Sequence, residues 1–108
     1  MDIFYHNSAD VPANTTKVFY GYPNLRQTQV TVFAVDDQGN AITDGSVTDT
    51  VTLRVYPYNS HATTAELTKT INLAAVENHV FDGLFRDIAL EVTTLTGAAN
   101  VKFIVTQA

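Results

Sequence analysis

From Val47 to Tyr58 the chain alternates apolar and polar positions, with Asp49 as the single exception. Val47, Val51, Leu53 and Val55 fall on one side; Thr48, Thr50, Thr52, Arg54 and Tyr56 fall on the other. Successive side chains of a strand project to opposite faces, so this period predicts a sheet with one dry and one wet side. Threonine suits the wet side because it is β-branched and still soluble. The same pattern recurs along the chain. Ile3 to His6 is a short apolar segment, and Lys17 to Tyr22 predicts a strand with Val18, Tyr20 and Tyr22 on one face. Gln29 to Val35 carries apolar residues on both faces, as a central strand or one covered by a partner on its outer side would. Thr68 to Leu73 predicts a strand with Ile71 and Leu73 inward. Asp87 to Thr93 would bury Ile88, Leu90 and Val92, and Val101 to Thr106 would bury Val101, Phe103 and Val105.

Turn chemistry separates these segments. Asn7 to Asn14 reads as a loop, and Asp36 to Asn40 and Thr43 to Ser46 supply the Asp, Asn and Gly that tolerate positive φ. Pro57 cannot donate a ladder hydrogen bond, so pairing should end there or lie at an edge. Thr63 to Leu67 is a candidate helical turn, Ala74 to Asn78 is open, and Val80 to Phe85 is a bent strand or a turn burying Phe81 and Phe85. Thr96-Gly97-Ala98 predicts a hairpin between the last two strands. The expected fold is all-β: an antiparallel sandwich of about seven strands, jelly-roll or immunoglobulin-like, with a closed barrel as the alternative.

At 108 residues and 45% hydrophobic content, the chain fits one globular domain, residues 1–108, with 1–15 as a possible N-terminal arm. Cysteine is absent, which excludes a disulfide scaffold and thiolate metal sites. The N-terminus has neither the basic nor the apolar region of a secretory signal, and no apolar run approaches the ~20 residues that span a bilayer. Synthesis in the cytoplasm, as a complete gene product starting at Met1, is therefore expected, and Asn14-Thr15-Thr16 is a chance glycosylation pattern. The net charge is −5, and the six basic residues stand singly, so no nucleic-acid partner is expected.

Chemistry is sparse. His6, His61 and His79 share no ligand spacing with one another or with a carboxylate, so no metal is expected. Asp36 to Asn40 resembles a fragment of a calcium loop but lacks its terminal bidentate Glu, and a hairpin turn accounts for it. Ser8, Ser46 and Ser60 lie in polar loops without a nucleophile-elbow pattern, and Ser60 beside His61 gives no triad geometry. The five glycines form no phosphate-binding fingerprint. No enzyme and no cofactor is expected. The aromatics carry more. Phe4-Tyr5, Phe19-Tyr20-Tyr22 and Tyr56-Tyr58 include neighbours that cannot all point inward, and tyrosine offers an interface a stiff apolar body with a polar tip. Phe4, Tyr5, Tyr20, Tyr22, Arg54, Tyr56 and Tyr58 are the candidate partner-interface residues.

The segments Thr70 to Leu73, Gly83, Ile88 to Thr93 and Val101 to Gln107 together resemble the small β-sandwich virion proteins of tailed bacteriophages. Leu53 to Tyr58 is similar to a recurring V-R-P-x-G strand of those proteins, with extra residues between Arg and Pro and without the Gly. This resemblance covers residues 47–108. It implies a structural part of a phage particle, most of all a capsid cement or decoration protein that binds the assembled shell as an oligomer, often a trimer. Its place would be the virion, after synthesis in the host cytoplasm, with virion proteins as partners and no membrane. Val35 to Val47 is similar to the strand-turn-strand of bacterial immunoglobulin-like domains. That second resemblance implies a carbohydrate-binding or adhesion module.

Overall fold

The computed structural model describes residues 5–21, 25–57, 67–83 and 85–108. Phe4, Tyr22, Tyr58, Ser60 and His61, and all but the last residue of the turn proposed at Thr63 to Leu67, lie outside them. The described residues form nine strands in two antiparallel sheets. They are β1 (Tyr5–Val11), β2 (Thr15–Tyr20), β3 (Gln27–Val35), β4 (Ala41–Ile42), β5 (Thr50–Pro57), β6 (Leu67–Asn72), β7 (Glu77–Asp82), β8 (Phe85–Val92) and β9 (Asn100–Gln107). One sheet runs β1-β9-β3, with β7 and the short β4 sharing the far edge of β3. The other runs β2-β8-β5-β6. Without β4, eight strands interleave between the sheets in the order of a jelly roll, which decides between the two sandwich types expected from sequence.

The dry faces are those the alternation predicts. Val51, Leu53 and Val55 of β5 meet Ile88, Leu90 and Val92 of β8, Val30, Val32 and Ala34 of β3, and Val101, Phe103 and Val105 of β9 in one core. Burying each such side chain contributes roughly 1.5–3 kcal/mol, and this term holds the sheets together. At its centre the Phe103 ring stacks on Phe19, with centroids 4.9 Å apart. Phe19 is thus the inward residue of β2, and Val18 and Tyr20 face out. Two buried polar side chains satisfy each other: Gln107 Nε2 donates to Thr28 Oγ1 at 3.0 Å.

Three expectations need correction. β8 and β9 form no hairpin: β8 pairs with β2 and β5, while β9 pairs with β1 and β3 in the opposite sheet. Their connection is an arch across the sandwich, pinned where Thr96 N donates to Asp49 Oδ2 at 2.9 Å and Ala99 N to the Val35 carbonyl at 3.0 Å. Asn7 to Val11 is strand and not loop, because the polar residues His6, Ser8 and Asp10 alternate onto the wet face of β1. Tyr5 to Val11 accordingly lies in the sheet, paired along its length with β9. Finally, β5 starts at Thr50 although Val47 is buried, since Asp49 turns its carboxylate to the arch.

The loops match their chemistry. Asp36 Oδ1 accepts from the amides of Gln38 and Asn40 at 2.9 and 2.8 Å, closing the β3–β4 hairpin around Gly39 at φ 84°. The calcium-like fragment is therefore a turn whose leading carboxylate is engaged by its own backbone. Asn14 takes φ 59° at the β1–β2 corner, a conformation asparagine tolerates.

Candidate docking face

Three of the sequence-derived interface residues, Tyr20, Arg54 and Tyr56, share the outer side of the β2-β8-β5-β6 sheet. Register places Tyr20 of β2 and Tyr56 of β5 on either side of Asp87 of β8, in one cross-strand row. Neighbouring strands lie about 4.8 Å apart, so the two tyrosine backbones are separated by about 10 Å. The next row holds Val18, Ala89 and Arg54, and the third holds Thr16, Glu91 and Thr52. Thr68 and Thr70 of β6 continue these rows to the edge.

The row is exposed at one end and braced at the other. Tyr20 is 72% exposed, the most open of the large apolar side chains among the described residues. Tyr56 is half-buried, with the Arg86 guanidinium 5.8 Å from its ring centroid. Such a cation–π contact is worth about 0.5–1 kcal/mol near the surface. Arg86 Nε also lies 3.2 Å from Asp87 Oδ2. Asp87 Oδ1 is enclosed and meets no hydrogen-bond donor among the described residues. Arg54 Nη1 stands 3.3 Å from Glu91 Oε2, and both side chains remain over a third exposed. That pair contributes at most about 1 kcal/mol to folding, which leaves both groups adaptable to a partner.

Tyr5 does not share this face. It lies on β1 in the other sheet, opposite the buried Gln107, and packs against the core while its hydroxyl accepts from Asn7 Nδ2 at 3.2 Å. Phe4, Tyr22 and Tyr58 are outside the described residues. Sequence reasoning missed Val18, Arg86, Asp87 and Glu91. The outward parity of Asp87 and Glu91 was legible once Ile88 and Leu90 were placed inward, but the β8–β2 and β8–β5 neighbourhoods were not.

The other broad face, on β1-β9-β3-β7, carries Val80 at 58% exposure, Ile104 and Phe33, with the ion pair of Lys102 Nζ and Asp10 Oδ1 at 2.9 Å. Here β3 is the central strand that its two apolar sides suggested. His6 contacts Thr106 on this face, whereas His79 faces inward from β7 beside Phe81. Among the described residues no three His, Asp or Glu side chains are grouped to hold a metal ion, and no helix is long and apolar enough to cross a membrane. The clearest charge perturbation is at the loop residue Asp44, whose carboxyl is held below the usual range by the hydroxyl and then the amide of Ser46.

No family model matches the sequence, and no curated protein does. Among solved structures, the chain is similar to one from Bacillus endospore appendages, described as a novel family of disulfide-linked pili. The TM-score is 0.58 at 18% identity, covering 97% of this chain and 84% of that one. A second structure, the SPBc2 prophage-derived protein YomS, gives a TM-score of 0.43 at 18% identity over 98% and 96% of the two chains. At this identity the first likeness establishes a shared fold across nearly the whole chain.

Proposed function

We propose that this chain is a non-enzymatic structural subunit that docks onto neighbours in a noncovalent, multi-copy particle. The finer reading is a capsid cement or decoration protein of a tailed bacteriophage, made in the host cytoplasm and resident in the virion. The observation that carries the reading is the Tyr20–Asp87–Tyr56 row, flanked by Arg54, on one broad sheet face. Exposed aromatics and arginine beside them are what protein interfaces concentrate. Two analogies support it at the level of fold alone. Jelly rolls are a common architecture of viral capsid domains, and the pilus structure of similar fold belongs to an assembling appendage. The chain has no cysteine, so the disulfide linkage in that description has no counterpart here, and cohesion must come from surface contact. Shell or other virion proteins and further copies of the chain are the partners this implies. Nucleic acid, membrane and cofactors have no part in it.

Quantitative mass spectrometry of particles purified from producing cells tests this. The chain should occur at many copies per particle and leave on denaturant treatment without reductant. Particles lacking it, with all of the chain in the soluble fraction, would refute the reading. The carbohydrate-binding alternative draws on the same row, since an open tyrosine ring beside a carboxylate also suits a sugar. Glycan-array binding lost in Tyr56→Ala would favour that alternative.

A further inference from the structure

We propose that the outer face of the β2-β8-β5-β6 sheet packs against the same face of a second copy of this chain. The inference rests on the structural-subunit reading and adds to it the occupant and the geometry. Size comes first. The molecule is a slab of 38 × 33 × 17 Å, so a broad face exceeds the ~800 Å² that each partner contributes to a standard interface.

Charge then selects the occupant. The chain carries a net charge of −5, which opposes self-association unless the contact avoids the surplus. On this face each described charge stands beside its opposite: Arg54 with Glu91, and Arg86 with Asp87. The surplus lies elsewhere. Residues 27–53 contain Asp36, Asp37, Asp44 and Asp49 and no Lys or Arg, and these acids sit in the loops at one end of the slab. A strongly charged partner would find no complementary field on a neutral face. A second copy of the same neutral face meets no like-charge penalty, and the Arg54 and Glu91 side chains can exchange partners across the contact. Tyr20 supplies the anchor, since most of its surface is open in the single chain. A contact of one face with itself is isologous and closes at two copies.

Sedimentation equilibrium of the full chain from micromolar to millimolar concentration, in 0.05 and 0.5 M NaCl, tests this. Tyr20→Glu is the diagnostic variant and Val80→Glu, on the opposite face, the control. Both positions are exposed, so thermal unfolding should match the parent. The expected result is a reversible dimer that holds or tightens at higher salt, at least tenfold weaker in Tyr20→Glu and unchanged in Val80→Glu. A strict monomer, a trimer, a dimer weakened only by Val80→Glu, or one dissolved by salt would overturn the proposal. If the monomer still joins particles, or binds a glycan, through Tyr20, the face has another occupant. A monomer absent from particles would remove the structural reading too.

Discussion

Asp49 shows how much one side chain can decide. It interrupts the alternation of the longest amphipathic segment, and its carboxylate accepts from both the amide and the hydroxyl of Thr96, 47 residues away. The arch between β8 and β9 is thereby tied to the entry of β5, with Gly97 lying over Val47. Hydrogen bonds to an ionised group are worth about 1.5–3 kcal/mol when sheltered and less in water. Asp49→Ala should therefore cost about 1–2 kcal/mol in urea unfolding, and Asp49→Asn less. Asp44 makes a smaller statement of the same kind. Its pKa is lowered by Ser46, so whatever stability it lends is present above its ordinary pKa and is lost as pH falls through the lowered folded value. An NMR titration of the Asp44 carboxyl should show a midpoint below 3.8 that moves back up in Ser46→Ala. These residue roles were only partly legible. The break at Asp49 was visible in sequence, but its partner was too distant to name.

At the scale of elements, the strands were readable and their partners were not. The period-2 signal found the inward sets of β5, β8 and β9 because each strand has one fully dry face. It failed for β1, where polar residues on the wet side of an edge strand imitate a loop. Thr96-Gly97-Ala98 could not announce whether it returns the chain to the same sheet or carries it to the other. Turn residues report backbone conformation, while sheet choice depends on long-range pairing. Two close approaches mark where that pairing is strict. A Cβ at Gly21 would collide with the Phe85 carbonyl oxygen, beside the bond from Gly21 N to the Arg86 carbonyl. Gly21→Ala should cost about 1–3 kcal/mol in chemical unfolding, as overpacking does. Phe103→Ala, which removes the ring stacked on Phe19, should cost about 3–5 kcal/mol. Equal stability of either variant and the parent would contradict the packing described.

For the whole molecule, the candidate site is a product of topology. Tyr20, Arg54 and Tyr56 were legible as outward residues, but only the order β2-β8-β5 makes them neighbours. The same order adds Asp87 and Glu91, whereas the pairing of β1 with β9 puts Tyr5 in the other sheet, packed against the core. What results is a thin slab with one charge-balanced broad face that carries Tyr20 and Tyr56. Its end loops hold Asp36, Asp37, Asp44 and Asp49, acids with no ion pair among the described residues. That distribution suits a subunit that hides its faces and leaves its ends in water. Hydroxyl-radical footprinting compares the chain diluted to its monomer with the chain within its purified particle. Tyr20 should lose most of its reactivity on assembly while the Asp36–Asn40 loop keeps its own. Equal labelling of Tyr20 in both states would contradict this reading.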